Sequence, residues 1–137
     1  MENFYNGMIR GKSVSSVKHP VKNKSFWIAA SDYANLVSNA FKLDIASNKE
    51  YAAQGPEGFT MEEVAREFAR NYSKDNLKVS LLPFGVMKFL GNFSSQLKHL
   101  SKLSEVNILT HETLESQNTW DELGKPQTTI AIFAKQQ

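Results

Sequence analysis

Cysteine is absent from this 137-residue chain. That excludes disulfides, thiolate zinc sites and a cysteine nucleophile. It is compatible with the cytosol, where the protein is expected to reside. Glycine is sparse, at 7 residues, and no G-x-G-x-x-G arrangement occurs. Nothing in the sequence therefore cradles a pyrophosphate at a helix N-terminus in the usual way. No apolar run approaches the length of a membrane span, and residues 1–10 hold no apolar core of signal-peptide length. An excess of one charge is missing as well. The 16 basic and 14 acidic residues leave a net +2, too balanced to argue for nucleic acid. Neither a membrane nor a nucleic-acid partner is expected. The densest basic stretch, 18–24, is a Lys/Pro/Asn segment that reads as a solvated loop.

What is present fits a soluble globular protein: 41% hydrophobic and 22% charged residues. The length suits one domain with a real core, spanning 1–137. Residues 1–25 are weakly patterned. A short helix fits 1–10, with Phe4 and Met8 on one side, and 11–24 is polar with a turn signal at His19-Pro20. Phe26-Trp27-Ile28 is a short strand candidate. The first clear helix starts near Ser31 or Asp32, either of which suits an N-cap. Its apolar stripe is Tyr33, Leu36, Val37, Ala40 and Phe41, opposite Asn35, Ser38, Asn39 and Lys42. Residues 44–49 form a polar connection, and 50–54 a strand candidate ended by Gly55-Pro56.

The sharpest local signal is Thr60-Met61-Glu62-Glu63, a capping box in which each side chain satisfies the other's backbone donor. The helix it opens carries Val64, Ala65, Phe68, Ala69 and Tyr72 on one stripe. Residues 77–82 are a further strand. Pro83 suits a helix first turn, with Val86, Met87 and Leu90 inward and Gly91 as the point where it bends or splits. A helix is expected over 97–109, and 111–116 either extends it or makes a separate turn. Residues 119–123 form a short turn or helix before the breaker Gly124-Lys125-Pro126. Thr128 or Thr129 caps a last segment in which Ile130, Phe133 and Ala134 fit helical spacing, although 130–133 also fits a short strand. The expected class is α+β, helix-rich with a small sheet of short strands.

Four segments, in order, resemble the C-terminal region of extended or atypical short-chain dehydrogenase/reductase proteins, in particular the NmrA-like and NAD-dependent epimerase relatives. They are Met1-Glu2-Asn3-Phe4; Trp27-Ile28-Ala29-Ala30-Ser31-Asp32-Tyr33-Ala34; 51–63, with its Gly-Pro-Glu-Gly-Phe-Thr run; and Gly124-Lys125-Pro126 with Thr128-Thr129-Ile130. The resemblance implies the C-terminal part of an NAD(P)-binding Rossmann-like protein, and so a substrate-binding lobe. It implies NAD or NADP in the full-length family, held by an upstream Rossmann region, with Met1 matching an internal position of a longer parent. It places Asn3 and Phe4 near the nicotinamide. The family's Tyr-x-x-x-Lys pair is not found. Tyr5, Tyr33, Tyr51 and Tyr72 are followed four residues later by Ile9, Val37, Gly55 and Asn76. Without a lysine to lower a tyrosine pKa, no catalytic residue is assigned and no cofactor is expected on this chain alone.

Each candidate residue has a plain alternative. Trp27 and Asp32 are substrate-side candidates, yet Trp27 suits a core or interface and Asp32 a helix N-cap. Phe84 and Met87 belong to a stripe with Phe89, Leu90 and Phe93 that fits a pocket wall or simply core. Glu62, Glu63 and Glu67 suit a cap and a solvated face better than a metal, and His19, His99 and His111 are scattered, so no metal site is expected. Neither a Ser-His-Asp order nor a nucleophile elbow is visible.

The leading expectation is a non-catalytic substrate-binding portion of an NAD(P)-dependent oxidoreductase or epimerase. Apolar surface that would pack on a Rossmann sheet is then bare, which predicts a homo-oligomer or docking on such a region. The alternative is an independent small-molecule-binding or protein-interaction module. An unrelated small α+β enzyme would need a convergent polar site, and the sequence offers none.

Overall fold

A computed structural model describes residues 1–44 and 48–137. The fold is mixed α+β, with several helices around a small sheet. Helix α1 (Glu2–Met8) leads into β1 (Ile9–Arg10), which turns back through Gly11 into β2 (Ser13–Lys18). Gly11 sits at φ +52, a conformation that costs glycine little. Strand β3 (Ser25–Phe26) precedes α2 (Ala30–Ala40). Strand β4 (Gly58–Phe59) feeds α3 (Met61–Asn71), and β5 (Lys78–Pro83) feeds α4 (Phe84–Leu90). Helices α5 (Ser95–Leu109), α6 (Gln117–Leu123) and α7 (Ile130–Gln136) complete the chain.

The three-stranded sheet has β2 at its centre. It pairs antiparallel with β1 and parallel with β5, in a register running from Ser13↔Lys78 to Lys18↔Pro83. Strands paired in parallel need a crossover, and α3 packs across both β2 and β5 within it. A separate two-stranded pair joins β3 to β4, Ser25↔Phe59 and Phe26↔Gly58.

Helix α3 is the organising element, and its start is local chemistry. Thr60 Oγ1 accepts from the Glu63 N–H at 3.2 Å, and Glu63 accepts from the Thr60 N–H at 2.9 Å. The expected stripe goes inward: Val64, Ala65 and Phe68 are fully buried, against β2 on one side and Ile130, Phe133 and Ala134 of α7 on the other. The solvated face carries the Glu62–Arg66 and Glu67–Arg70 ion pairs. Strand β5, the helix after Pro83, its end at Gly91 and the helix α5 also lie where the pattern puts them, but of Val86, Met87 and Leu90, expected inward, Met87 alone is buried. Thr129 caps α7 by accepting from the Ile132 N–H, so the last segment is helix and not strand.

Three expectations are corrected. The stretch 11–24, read as polar, contains the central strand β2, while α1 is the short helix expected over 1–10. Strand Ser13-Val14-Ser15-Ser16 alternates properly, but serine stands at an inward position. Ser16 is buried because its hydroxyl donates to the Met61 carbonyl at 3.0 Å. Residues 50–54 are extended without ladder pairing, because their polar groups bond to side chains and to the 112–120 segment instead. The third correction is α2. Its N-cap is Ala29, and the cap oxygens come from Glu2, whose carboxylate accepts from the Ala30 N–H at 3.0 and 3.1 Å. Asp32 lies inside the first turn, and its Oδ2 accepts from the Thr128 N–H at 2.7 Å. With Asn39 donating to the Leu123 carbonyl at 2.8 Å, the face of α2 turned to the protein is Asp32, Leu36 and Asn39. Tyr33, Val37 and Phe41 of the expected apolar stripe are exposed, Phe41 to 89%. The polar connection expected over 44–49 lies partly outside the described residues.

The capping box supplies a direct test. Burial slightly opposes the Glu63 charge, but the Thr60 N–H bond is the larger effect and holds its carboxyl below the usual range, with Lys24 and Lys22 assisting. A depressed folded pKa stabilises the fold above the unfolded value and loses that contribution as pH falls through the folded one. Thr60→Ala should cost about 1 kcal/mol. Glu63→Gln should lower Tm at neutral pH, with the gap closing as the pH drops below about 4.3. Thermal melts across that range check both; a gap that does not change with pH would contradict the assignment.

Candidate functional site

An apolar concavity lies between two walls. One is built by α1 and the chain around β3, through Phe4, Met8, Phe26, Trp27 and Ile28. The other is α5, through Leu100, Leu103 and Ser104. Val17 of β2, Met61 of α3 and His19 complete the lining of a cleft of about 530 Å³. Its few polar side chains among apolar ones match the usual make-up of a small-molecule site.

The walls are held differently. Phe4 is 2% exposed, its ring packed edge-on to Trp27 at 5.8 Å and against Phe68 at 5.7 Å. Trp27 is half-buried, and its Nε1 is the one buried side-chain polar atom among the described residues that lacks a partner. Such a donor costs roughly 1–3 kcal/mol. Helix α5 packs on α4, with Lys88 paired to Glu105 at 2.8 Å and the Gly91 α-carbon region close to the Lys98 backbone. At its other end Asn23 donates to the Ile108 and Thr110 carbonyls, both at 2.9 Å.

Beyond α5 the chain is fixed by Gln54, which is buried. Its Nε2 donates to Glu112 Oε1 and to the Thr113 carbonyl, both at 2.8 Å. Its Oε1 accepts from the N–H groups of Glu115 (2.7 Å) and Ser116 (3.2 Å) and from the Ser116 hydroxyl (3.1 Å). The second Glu112 oxygen accepts from the Phe26 N–H at 3.3 Å. Gly55 follows at a point of close approach: a Cβ there would stand 1.7 Å from the Trp27 carbonyl oxygen. These bonds join the segment after α5 to the base of the Trp27 wall.

The predicted site residues separate into groups. Asn3, Phe4 and Trp27 all line the cleft, Asn3 on its exposed side. Asp32 lies elsewhere, in a shallow polar hollow with Asn39, Leu123 and Gln127, bonded to the tail. Met87 is buried in α4, and Phe84 is half-buried against the His19 ring at 6.3 Å; neither lines the cleft. The residues that the sequence did not flag are Met8, Val17, His19, Leu100 and Leu103. Periodicity marked Leu100 and Leu103 as helical but carried no sign of the wall they face. Gln54 carried no sign of its network, since it stood only as the last residue of a strand candidate before Gly55-Pro56.

The N-termini of α2, α3 and α7 are closed by Glu2, by Thr60 with Glu63, and by Thr129, and two of those caps place a carboxylate where a phosphate would have to bind. Tyr51 is tied to a carboxylate. Its hydroxyl donates to Glu122 at 2.6 Å, which raises the tyrosine pKa and lowers that of Glu122, while Lys49 bonds the same carboxylate at 3.1 Å. The lysine thus serves the glutamate and leaves the phenol protonated. Among the described residues, no three His, Asp or Glu side chains are grouped to hold a metal ion, and no helix is long and apolar enough to cross a membrane.

A second surface feature accompanies the cleft. The chain exposes 8798 Å², against roughly 7,200 Å² for a compact monomer of its mass. Tyr33, Val37 and Phe41 on α2, and Phe89, Phe93, Val106 and Leu109 on α4, α5 and the turn between them, contribute to that excess. No family profile matches this sequence, and no curated protein does.

Gln54→Ala should destabilise the fold by about 2–4 kcal/mol, because several buried partners lose their bonds at once. Urea unfolding measures this. A change below about 0.5 kcal/mol, the scale of an ordinary surface substitution, would remove Gln54 from its assigned role.

Proposed function

We propose that this chain is a non-catalytic, ligand-binding lobe whose cleft between the Trp27 wall and α5 takes an apolar small molecule. In the reading that the motif resemblance favours, it serves an NAD(P)-dependent oxidoreductase or epimerase of NmrA-like type, with the dinucleotide held on a Rossmann region outside the described residues. The observation that carries the proposal is the cleft itself: an apolar space of about 530 Å³ with walls on separate elements and few polar groups. The carboxylate-capped helix starts argue that any dinucleotide sits elsewhere. The bare stripe on α2 supplies a surface on which such a region would pack.

A second reading has its own support. The ring cluster around Phe68 and the satisfied Gln54 network form a core that needs nothing from outside. That favours an independent small-molecule-binding or interaction module.

Fluorescence titration of NADPH and NADH into the purified chain tests the leading reading. No saturable binding is expected. Saturation at micromolar concentrations would contradict a lobe without its own dinucleotide site. Absence of binding here, with binding by a longer form that carries a glycine loop, supports the oxidoreductase reading; if no such form exists, the independent module takes its place.

A further inference from the structure

The apolar cleft has a charged mouth. A second concavity of about 470 Å³ adjoins it, and His19 and Met61 stand in the walls of both. That outer space is lined by Lys18, Lys22 and Arg66 together with Glu62 and Glu63. The charges are not equivalent. Glu62 is tied to Arg66 at 2.8 Å, and Glu63 is occupied by the Thr60 N–H. Lys18 and Lys22 make no close ion pair among the described residues; Lys22 assists the Glu63 charge from a distance, and the mouth carries three cations against two carboxylates. His19 makes no hydrogen bond among the described residues, and the Phe84 ring packs against it. Burial lowers its pKa, which leaves a neutral imidazole able both to donate and to accept.

We propose that the joined concavities bind an amphiphilic carboxylic acid, with its apolar body between Trp27 and Leu103 and its carboxylate at the mouth beside His19, Lys18 and Lys22. The inference rests on the reading of the cleft as a small-molecule site and adds the class of ligand. Apolar contact supplies most of the affinity. The two lysines select the anion over a neutral molecule of the same shape. A phosphate or a sugar would leave the apolar walls unfilled, and a plain hydrocarbon would leave the cations unused.

Calorimetric titration of decanoate and decanol into the full chain tests this. Decanoate should bind about tenfold more tightly than decanol, the scale expected of two partly exposed charge contacts. The double substitution Lys18→Ala with Lys22→Ala should erase that difference and leave decanol binding unchanged. Leu103→Glu, at a site 64% exposed and so tolerant of a polar side chain, should weaken both ligands at least about tenfold, since a charged group replaces apolar contact with the body of either ligand. Phe41→Lys, outside the cleft, should change neither. Equal binding of decanoate and decanol by the native chain would overturn the ligand class and leave the cleft reading standing. Binding of neither would overturn both. Decanoate binding untouched by Leu103→Glu, or retention of the chain on phosphatidylserine vesicles with no binding of free decanoate, would also overturn the proposal.

Discussion

The structure depends on the enclosure of one ring. Phe68 of α3 meets Phe4 and Tyr5 from α1, Tyr72 at its own helix end and Phe133 from α7, with centroids 5.5 to 6.3 Å away. Aromatic pairs at such distances add to the burial of a large side chain, and loss of a ring of this kind typically costs about 3–5 kcal/mol. The ring does more than fill volume. It ties the two ends of the chain to its middle, because rings from both α1 and α7 pack on it. It also fixes Phe4, against whose edge Trp27 stands. The position of one cleft wall is therefore a consequence of core packing.

The other wall depends on hydrogen bonds. Helix α5 has exposed leucines and little apolar contact with the core. Its placement comes from α4 at one end and from Asn23 and the Gln54 network at the other. One wall is packed by rings and the other is hung on polar bonds, and the unpartnered Trp27 N–H lies in the packed wall. Unfilled apolar space and an orphan donor both cost stability, a pattern common where a protein binds something.

The parts legible in the sequence are those decided locally. Thr60 and Glu63 announced α3 because a capping box is complete within four residues, and Pro83, Gly91 and Thr129 marked helix ends for similar reasons. Strand β2 was hidden because Ser16 stands at an inward position and is buried only by a bond to Met61, 45 residues away. The α2 stripe was read correctly as apolar, but periodicity names a face and not its partner. The face that packs was chosen by Asp32 and Asn39 through bonds to Thr128 and Leu123. Of the candidate site, Asn3, Phe4 and Trp27 came together as their proximity to α1 and β3 allowed. Leu103 and His19 entered only through tertiary structure, and Asp32 turned out to hold the tail.

The α2 stripe and the α4–α5 surface remain outside this core. An excess of roughly 1,600 Å² over a compact monomer of this mass is of the order that stable interfaces bury. In the proposed reading such a face serves for docking, either to another copy or to a nucleotide-binding region. Multi-angle light scattering of the purified chain, compared with Phe41→Lys, tests that most directly. The predicted result is a species larger than one chain at micromolar concentration that shifts toward the monomer in the variant. A monodisperse monomer for the native chain would contradict it.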